Sequence, residues 1–163
     1  MNPLIRKASA EDMPQVLELI EELAAFENEP DAVNVTVEVL QKEGFGDSPL
    51  FTCFVAEMDS EIVGMALVYF RFSTWKGRAL HLEDLVVKES MRGSGIGEAL
   101  YARVMKYAKD NHCKRVNWVV LDWNEGAIKF YERSGAHIDK SWWHVGMNEE
   151  GIRNYLKAKD NSN

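Results

Sequence analysis

The chain has 163 residues, of which 46% are hydrophobic and 28% charged, and it carries a formal net charge of −7. That size fits one domain with a sizeable core, and the acidic balance argues against nonspecific nucleic-acid binding, which needs Lys and Arg against phosphates. Net negative charge suits a cationic small substrate by long-range attraction, and it equally serves solubility. Met1-Asn2-Pro3-Leu4-Ile5-Arg6 has no apolar signal core, and no apolar run reaches the length of a membrane span, so a cytoplasmic location is expected. Cys53 and Cys113 lie far apart without CxxC spacing, which argues against a disulfide framework or a structural zinc site.

In chain order, Leu4 to Lys7 reads as a short strand, and Ser9 or Asp12 as a helix start. Met13, Val16, Leu17, Ile20, Leu23 and Ala24 then recur at the spacing of one helical face. This helix should fade between Phe26 and Pro30. A second helix is expected from Thr36 to Glu43, with Thr36 as its cap and Gly44 and Gly46 closing it. Phe51 to Glu57 and Glu61 to Phe72 read as strands joined by a tight Asp59-Ser60 turn, and Arg78 to Lys88 as a third. Ile96 to Asn111 is an amphipathic helix, Val116 to Leu121 a buried-type strand, and Asn124 to Ser134 a helix stopped by Gly135. One or two strands are expected within Ala136 to Met147, and a last helix over Glu149 to Lys157. With no repeat or linker, a single domain over residues 1–158 and a polar, flexible tail over 159–163 are expected. The interleaved elements imply an α/β (α+β) fold whose sheet has mixed strand direction.

The segment with the most chemical content is Met91-Arg92-Gly93-Ser94-Gly95-Ile96-Gly97, between a strand and a helix. The first N–H groups of a helix lack internal partners and sit at the positive end of its dipole, so they attract anions. Glycines let backbone approach a phosphate closely, and Arg92 adds a cation. A Walker A loop needs a Gly-Lys-Ser/Thr ending that is missing here. A dinucleotide fingerprint belongs in the first strand–helix unit, whereas this segment follows several strands.

Arg92-Gly93-Ser94-Gly95-Ile96-Gly97 resembles the pyrophosphate loop R/Q-x-x-G-x-G/A of the GNAT N-acetyltransferase superfamily. Asn124, Ala127, Tyr131 and Gly135-Ala136 match its N-x-x-A-x-x-x-Y…G-A pattern. Phe45-Gly46-Asp47, Ser73-Thr74-Trp75-Lys76-Gly77-Arg78, Leu82-Glu83-Asp84 and Val120-Leu121-Asp122-Trp123-Asn124 are similar to the diamine (spermidine/spermine) acetyltransferase branch. Two of these stretches, Ser-Thr-Trp-Lys-Gly-Arg and Leu-Asp-Trp-Asn, look more like its thialysine-type member. The resemblance implies a GNAT fold with a mixed central sheet of about six to seven strands flanked by helices. In that fold a splayed pair of parallel strands holds acetyl-CoA.

The resemblance also implies site residues. Backbone at Leu85, Val86 and Val87, the loop from Arg92 through Gly93, Ser94, Gly95 and Ile96 to Gly97, and Asn124 and Tyr131 would hold the cofactor. Acetyl transfer requires a deprotonated amine, a polarised thioester carbonyl and a protonated leaving thiolate. Glu83 is the candidate base, directly or through water, and Tyr131 the candidate acid. Strand alternation sends Glu83 and Asp84 to opposite faces unless a bulge intervenes, and Asp84 is as well read as a structural partner as a substrate contact. Phe26, Glu27 and Trp75, with Glu83 and Asp84, would receive a cationic acceptor, while Glu21 and Glu22 read as a solvated helix end. Asn124 reads also as an N-cap. The four histidines, His81, His112, His137 and His144, lack ligand spacing, and no metal is required. The branch implies a homodimer, with Trp142-Trp143 at a subunit contact. The expected activity is transfer of an acetyl group to the primary amine of a polyamine, a diamine or a thialysine-like amino acid. An acyl-CoA sensor without turnover and a protein-amine acetyltransferase are the alternatives.

Overall fold

A computed structural model describes residues 3–160. They form two compact units, one ending at Val119 and the other beginning at Val120. None of the described helices is long and apolar enough to cross a membrane.

The first unit is built on a five-stranded sheet in sequential order: β1 (Leu4–Lys7), β2 (Thr52–Met58), β3 (Glu61–Ser73), β4 (Gly77–Val87) and β5 (Val116–Asn117). The first four strands run antiparallel, and β5 joins β4 in parallel. Asp59 and Ser60 both take positive φ, 51° and 67°, the twist that a two-residue hairpin between right-twisted strands requires. Helices α1 (Met13–Phe26) and α2 (Val37–Phe45, capped by Thr36 Oγ1 accepting from Val39 N–H) cover one face. There Met13, Val16, Leu19 and Leu40 bury against Cys53, Val55, Met65 and Val86. Helix α3 (Ile96–Asp110) covers the other face, with Ile96, Leu100, Val104 and Ala108 against Phe54, Ala66, Val68, Leu80 and Leu82. Burial of each such large side chain stabilises the fold by about 1.5–3 kcal/mol. At Gly64 a Cβ would lie 3.0 Å from Val86 O and 3.2 Å from Leu100 Cδ1, so a glycine is what lets α3 settle on β3.

The second unit holds α4 (Glu125–Arg133) and α5 (Glu149–Asp160). Asn124 Oδ1 accepts the Ala127 N–H at 3.2 Å, confirming its N-cap geometry, and Gly135 (φ 90°) ends α4 as expected. Asn148 Oδ1 caps α5 by accepting the Gly151 N–H at 2.8 Å. Helix α5 takes in Lys159 and Asp160, the first two residues of the expected tail; the remaining three, 161–163, lie outside the described residues.

The sheet has five strands where six to seven were expected. The strand expected over Val116 to Leu121 stops at Asn117; Val119 and Leu121 beyond it are 70% and 38% exposed. No strand forms among residues 136–147. There Asp139 Oδ1 accepts from both Ser141 N–H (2.9 Å) and Ser141 Oγ–H (2.5 Å), a local turn that competes with ladder pairing. Trp142, Trp143, Val145 and Met147 are exposed, so this stretch has no buried alternate face to fix a register.

Candidate active site

The site is organised by an irregularity in β4. Leu82 pairs with Val68 and Asp84 with Leu67, which leaves Glu83 as an extra residue without a partner on β3. Two independent features show the resulting phase change. Leu80 and Leu82 pack toward α3, but after the bulge it is Leu85 and Val87 that do so, while Val86 packs toward α1. On the backbone, Leu80 N–H points to the β5 side, donating to Arg115 O at 3.0 Å. Lys88 N–H points instead to β3, donating to Val63 O at 2.9 Å.

The bulge is the exception to strand alternation that would keep Glu83 and Asp84 from facing opposite ways, and it is present. His81, Glu83, Asp84 and Val86 all lie on the α1 side of the sheet. Glu83 is half-exposed, and its Oε2 accepts the Tyr69 Oη–H at 2.8 Å and lies 3.5 Å from His81 Nε2. Asp84 is half-buried; burial first, then the Glu83 and Glu27 carboxylates, pushes its carboxyl up to about 6. Burial also raises the Glu27 carboxyl. Burial and the neighbouring Glu83 raise the Tyr69 phenol. Glu27, the cap residue that follows α1, is thus brought to the same anionic patch as Glu83 and Asp84.

Next to this patch β4 loses its neighbour. The β4–β5 ladder spans only Leu80–Val116 and His81–Asn117. Beyond it, by the alternation of strand backbone, Leu85 and Val87 direct their N–H and C=O groups to an edge with no paired strand among the described residues. The backbone of Val86 faces β3 and its side chain the α1 core. Val86 therefore directs neither its backbone nor its side chain to that edge.

The glycine segment closes this end. A single 3-10 turn (Glu89–Met91) leads into it, Ser94 Oγ–H donates to Met91 O at 2.5 Å, and Gly93 and Gly95 take φ of 77° and 85°. Those angles favour glycine, and a Cβ on either residue would meet nothing within 4 Å, so the space above the loop is open. Ala99 N–H is the first of α3 to find its helical acceptor, Gly95 O, so the N–H groups before it, through Ile96 and Gly97, face outward at the positive helix end. Arg92 stands beside them: its Nε–H donates to Val87 O at 3.3 Å, and its guanidinium lies 5.0 Å from the Phe26 ring and 3.8 Å from Glu22 Oε1. Glu22 also accepts the Glu89 N–H at 2.7 Å, so it is a bridge from α1 to the loop rather than a solvated helix end.

Trp75 is set apart from this group. It is 82% exposed at the tip of the β3–β4 hairpin, and Glu83 lies six residues along β4 from Gly77, roughly 20 Å at the rise of a strand. In the second unit Tyr131 is the buried residue of α4, its ring packed edge-on to Phe130 at 5.4 Å. Nothing in the sequence pattern singles out Tyr69 or gives His81 and Glu22 a role at the site. For the first two the available hint is position: His81 lies two residues before Glu83, and Tyr69 pairs with it across the hairpin. Glu22 had no local signal, because its partners are 67 and 70 residues away in sequence.

This geometry combines an outward-facing anion loop, an open strand edge and a carboxylate patch. Residues 14–136 match the acetyltransferase (GNAT) family. A thialysine N-epsilon-acetyltransferase of Bos taurus is 40% identical over 151 residues, covering 86% of this chain and 89% of that one. The spermidine/spermine N(1)-acetyltransferase-like protein 1 of Homo sapiens is 39% identical over 86% of this chain and 22% of its own length. Among solved structures, an integron cassette protein from the mobile metagenome of V. cholerae shares the fold. It has a TM-score of 0.79 at 22% identity, covering 96% of this chain and 99% of that one. The chain belongs to the GNAT acetyltransferase family and is an N-acetyltransferase.

Proposed function

We propose that the enzyme transfers an acetyl group from acetyl-CoA to the primary amine of a small cationic acceptor, either a polyamine or diamine or a thialysine-like amino acid. The observation that carries this reading is the gathering of Glu27, Glu83 and Asp84 on one sheet face beside the open edge of β4. Three carboxylates attract an ammonium, and the burial that raises Asp84 and Glu27 strengthens their attraction by excluding water.

The chain fits the donor. The outward N–H groups at Gly95, Ile96 and Gly97, the open space over Gly93 and Gly95, and the Arg92 guanidinium suit a pyrophosphate. The backbone of Leu85 and Val87 suits the amides of a pantetheine arm, and Asn124 is assigned to the same arm. Bound there, the thioester supplies an activated acyl group for direct attack by the amine in a ternary complex. Glu83 receives the proton of the amine, directly or through one water. Asp84 and Glu27 hold the positive charge of the acceptor, and Phe26 adds an aromatic face. A backbone N–H near Leu85 polarises the carbonyl, and the Tyr131 phenol returns a proton to the leaving sulfur. We assign the two units to one functional domain, the working form to a homodimer and the location to the cytoplasm.

The test is the purified enzyme with acetyl-CoA and a competitive panel of spermidine, putrescine, lysine and thialysine, followed by thiol release. At least one amine is expected to turn over, and Glu83→Gln to lower kcat by about 100-fold, the lower end of general-base effects. Bound CoA with no turnover of any amine would refute the reading.

A further inference from the structure

We propose that His81 is a positioning residue for Glu83, and that Arg71 selects the histidine tautomer that does this work. The proposal rests on Glu83 being the proton acceptor, as read above. A guanidinium only donates, and Arg71 Nη1 lies 3.3 Å from His81 Nδ1. His81 Nδ1 is therefore the accepting nitrogen, and the neutral ring carries its proton on Nε2. Nε2 is the ring atom that stands next to Glu83 Oε2, 3.5 Å away, an electrostatic contact rather than a hydrogen bond. The ring is also braced by Tyr69, with centroids 5.0 Å apart at an angle of 35°. The Tyr69 Oη–H donates to the same oxygen, Oε2, at 2.8 Å.

Both groups act on one oxygen. Among the described residues no donor reaches Glu83 Oε1, so this clamp leaves Oε1 as the atom that receives a proton. Register supports the arrangement: Tyr69 and His81 are paired across the hairpin, and Arg71 follows two residues along β3 on the same face. Arg71 has a second effect. By occupying Nδ1 it stops His81 from acting as a base in place of Glu83. The charged groups bearing on the ring are Arg71 on β3 and Glu83 on β4; its β5 neighbour, Asn117, does not titrate. Burial and Arg71 hold the imidazole below its ordinary range against the opposing pull of Glu83, which keeps it neutral at pH 7.

Two readouts test the proposal on the full-length enzyme. The first is nitrogen-15 NMR of the histidine ring at pH 7. Wild type is expected to show His81 protonated on Nε2 and bare on Nδ1, and Arg71→Met to shift the ring toward a mixture of tautomers. A wild-type ring protonated on Nδ1 overturns the proposal whether or not any amine is acetylated. The second is steady-state kinetics with the best acceptor of the panel. Loss of this polar contact in His81→Leu is expected to lower kcat about tenfold, with the KM for acetyl-CoA unmoved. His81→Gln restores an N–H donor and should recover several-fold of that loss, with thermal unfolding confirming that both variants fold. Equal kcat values for the Leu and Gln variants, or a change confined to KM, overturn it. Failure of every amine to react would refute the function proposed above, and the NMR result would still decide the geometry at His81.

Discussion

Asp84 shares a face of β4 with its immediate neighbour Glu83, because Glu83 is the residue that has no partner on β3. Without that bulge one of the two carboxyls would point into the apolar layer under α3, where an unpaired charge is costly. With it both face the α1 side, one half-exposed and hydrogen-bonded, the other half-buried and raised to about 6. The pair has different environments: Glu83 is held at the surface by Tyr69, and Asp84 is set into the patch where burial raises its carboxyl.

The raised carboxyl predicts a pH-dependent cost. Asp84 prefers its proton in the folded state, so its contribution to stability is full below the ordinary value of 3.8 and is lost as pH rises through about 6. Asp84→Asn should therefore be more stable than wild type at pH 7.5, by about 1–3 kcal/mol, with the difference vanishing near pH 4. Urea unfolding at the two pH values checks this. The same variant should raise the KM of a cationic acceptor while leaving that of acetyl-CoA in place.

Arg6 and Asp12 predict the opposite sign. Arg6 donates to both Asp12 oxygens, at 2.7 and 2.8 Å, and to Glu57 Oε2 at 2.6 Å. The hydrogen-bonded guanidinium draws the Asp12 carboxyl down to about 2, and the stability this gives is present above the ordinary 3.8 and lost as pH falls toward 2. Asp12→Asn should cost about 2 kcal/mol at pH 7 and converge on wild type near pH 2, measured by chemical unfolding across that range.

Gly95→Ala isolates backbone strain from crowding. Its φ of 85° disfavours any side chain, although the space around a Cβ is empty. The expected loss is about 1 kcal/mol of stability. Because the methyl would enter the space over the loop, calorimetry should show a larger proportional loss in CoA affinity than the stability change implies.

Glu22→Gln tests the bridge to Arg92. The amide oxygen can still accept the Glu89 N–H, but the negative charge 3.8 Å from the Arg92 guanidinium is gone. Relieved of that competitor, Arg92 should bind CoA about two- to five-fold more tightly, in line with a partly exposed ion pair of 0.5–1 kcal/mol. Added salt should shrink the difference.

Most of the framework was legible in local pattern. The start of the α1 face at Met13 and Val16, the Thr36 and Asn124 caps, the Asp59-Ser60 turn and the glycines at 93, 95 and 135 all followed from spacing or from residue type, whereas Leu19, buried with them, was not on the expected face. These features depend on neighbours within a few positions, so sequence order alone determines them. The anion loop belongs with them, since a helix start with permissive glycines needs no distant partner.

Other features were decided only by tertiary structure. Whether Glu83 and Asp84 share a face depends on how β4 registers against β3, and strand periodicity contains no signal for an extra residue. Strand formation after Asn117 and over residues 136–147 depends on a partner edge, which an apolar run cannot supply by itself. The Glu22 bridge, the Arg71-His81-Glu83 chain and the separation of Trp75 from the carboxylates are likewise relations between distant segments. The chain alone thus determined the family, the loop and the candidate base. The packed sheet decided which oxygen of Glu83 accepts from Tyr69 and which carboxylates stand beside it, because a side chain's direction and protonation are set by what surrounds it in space.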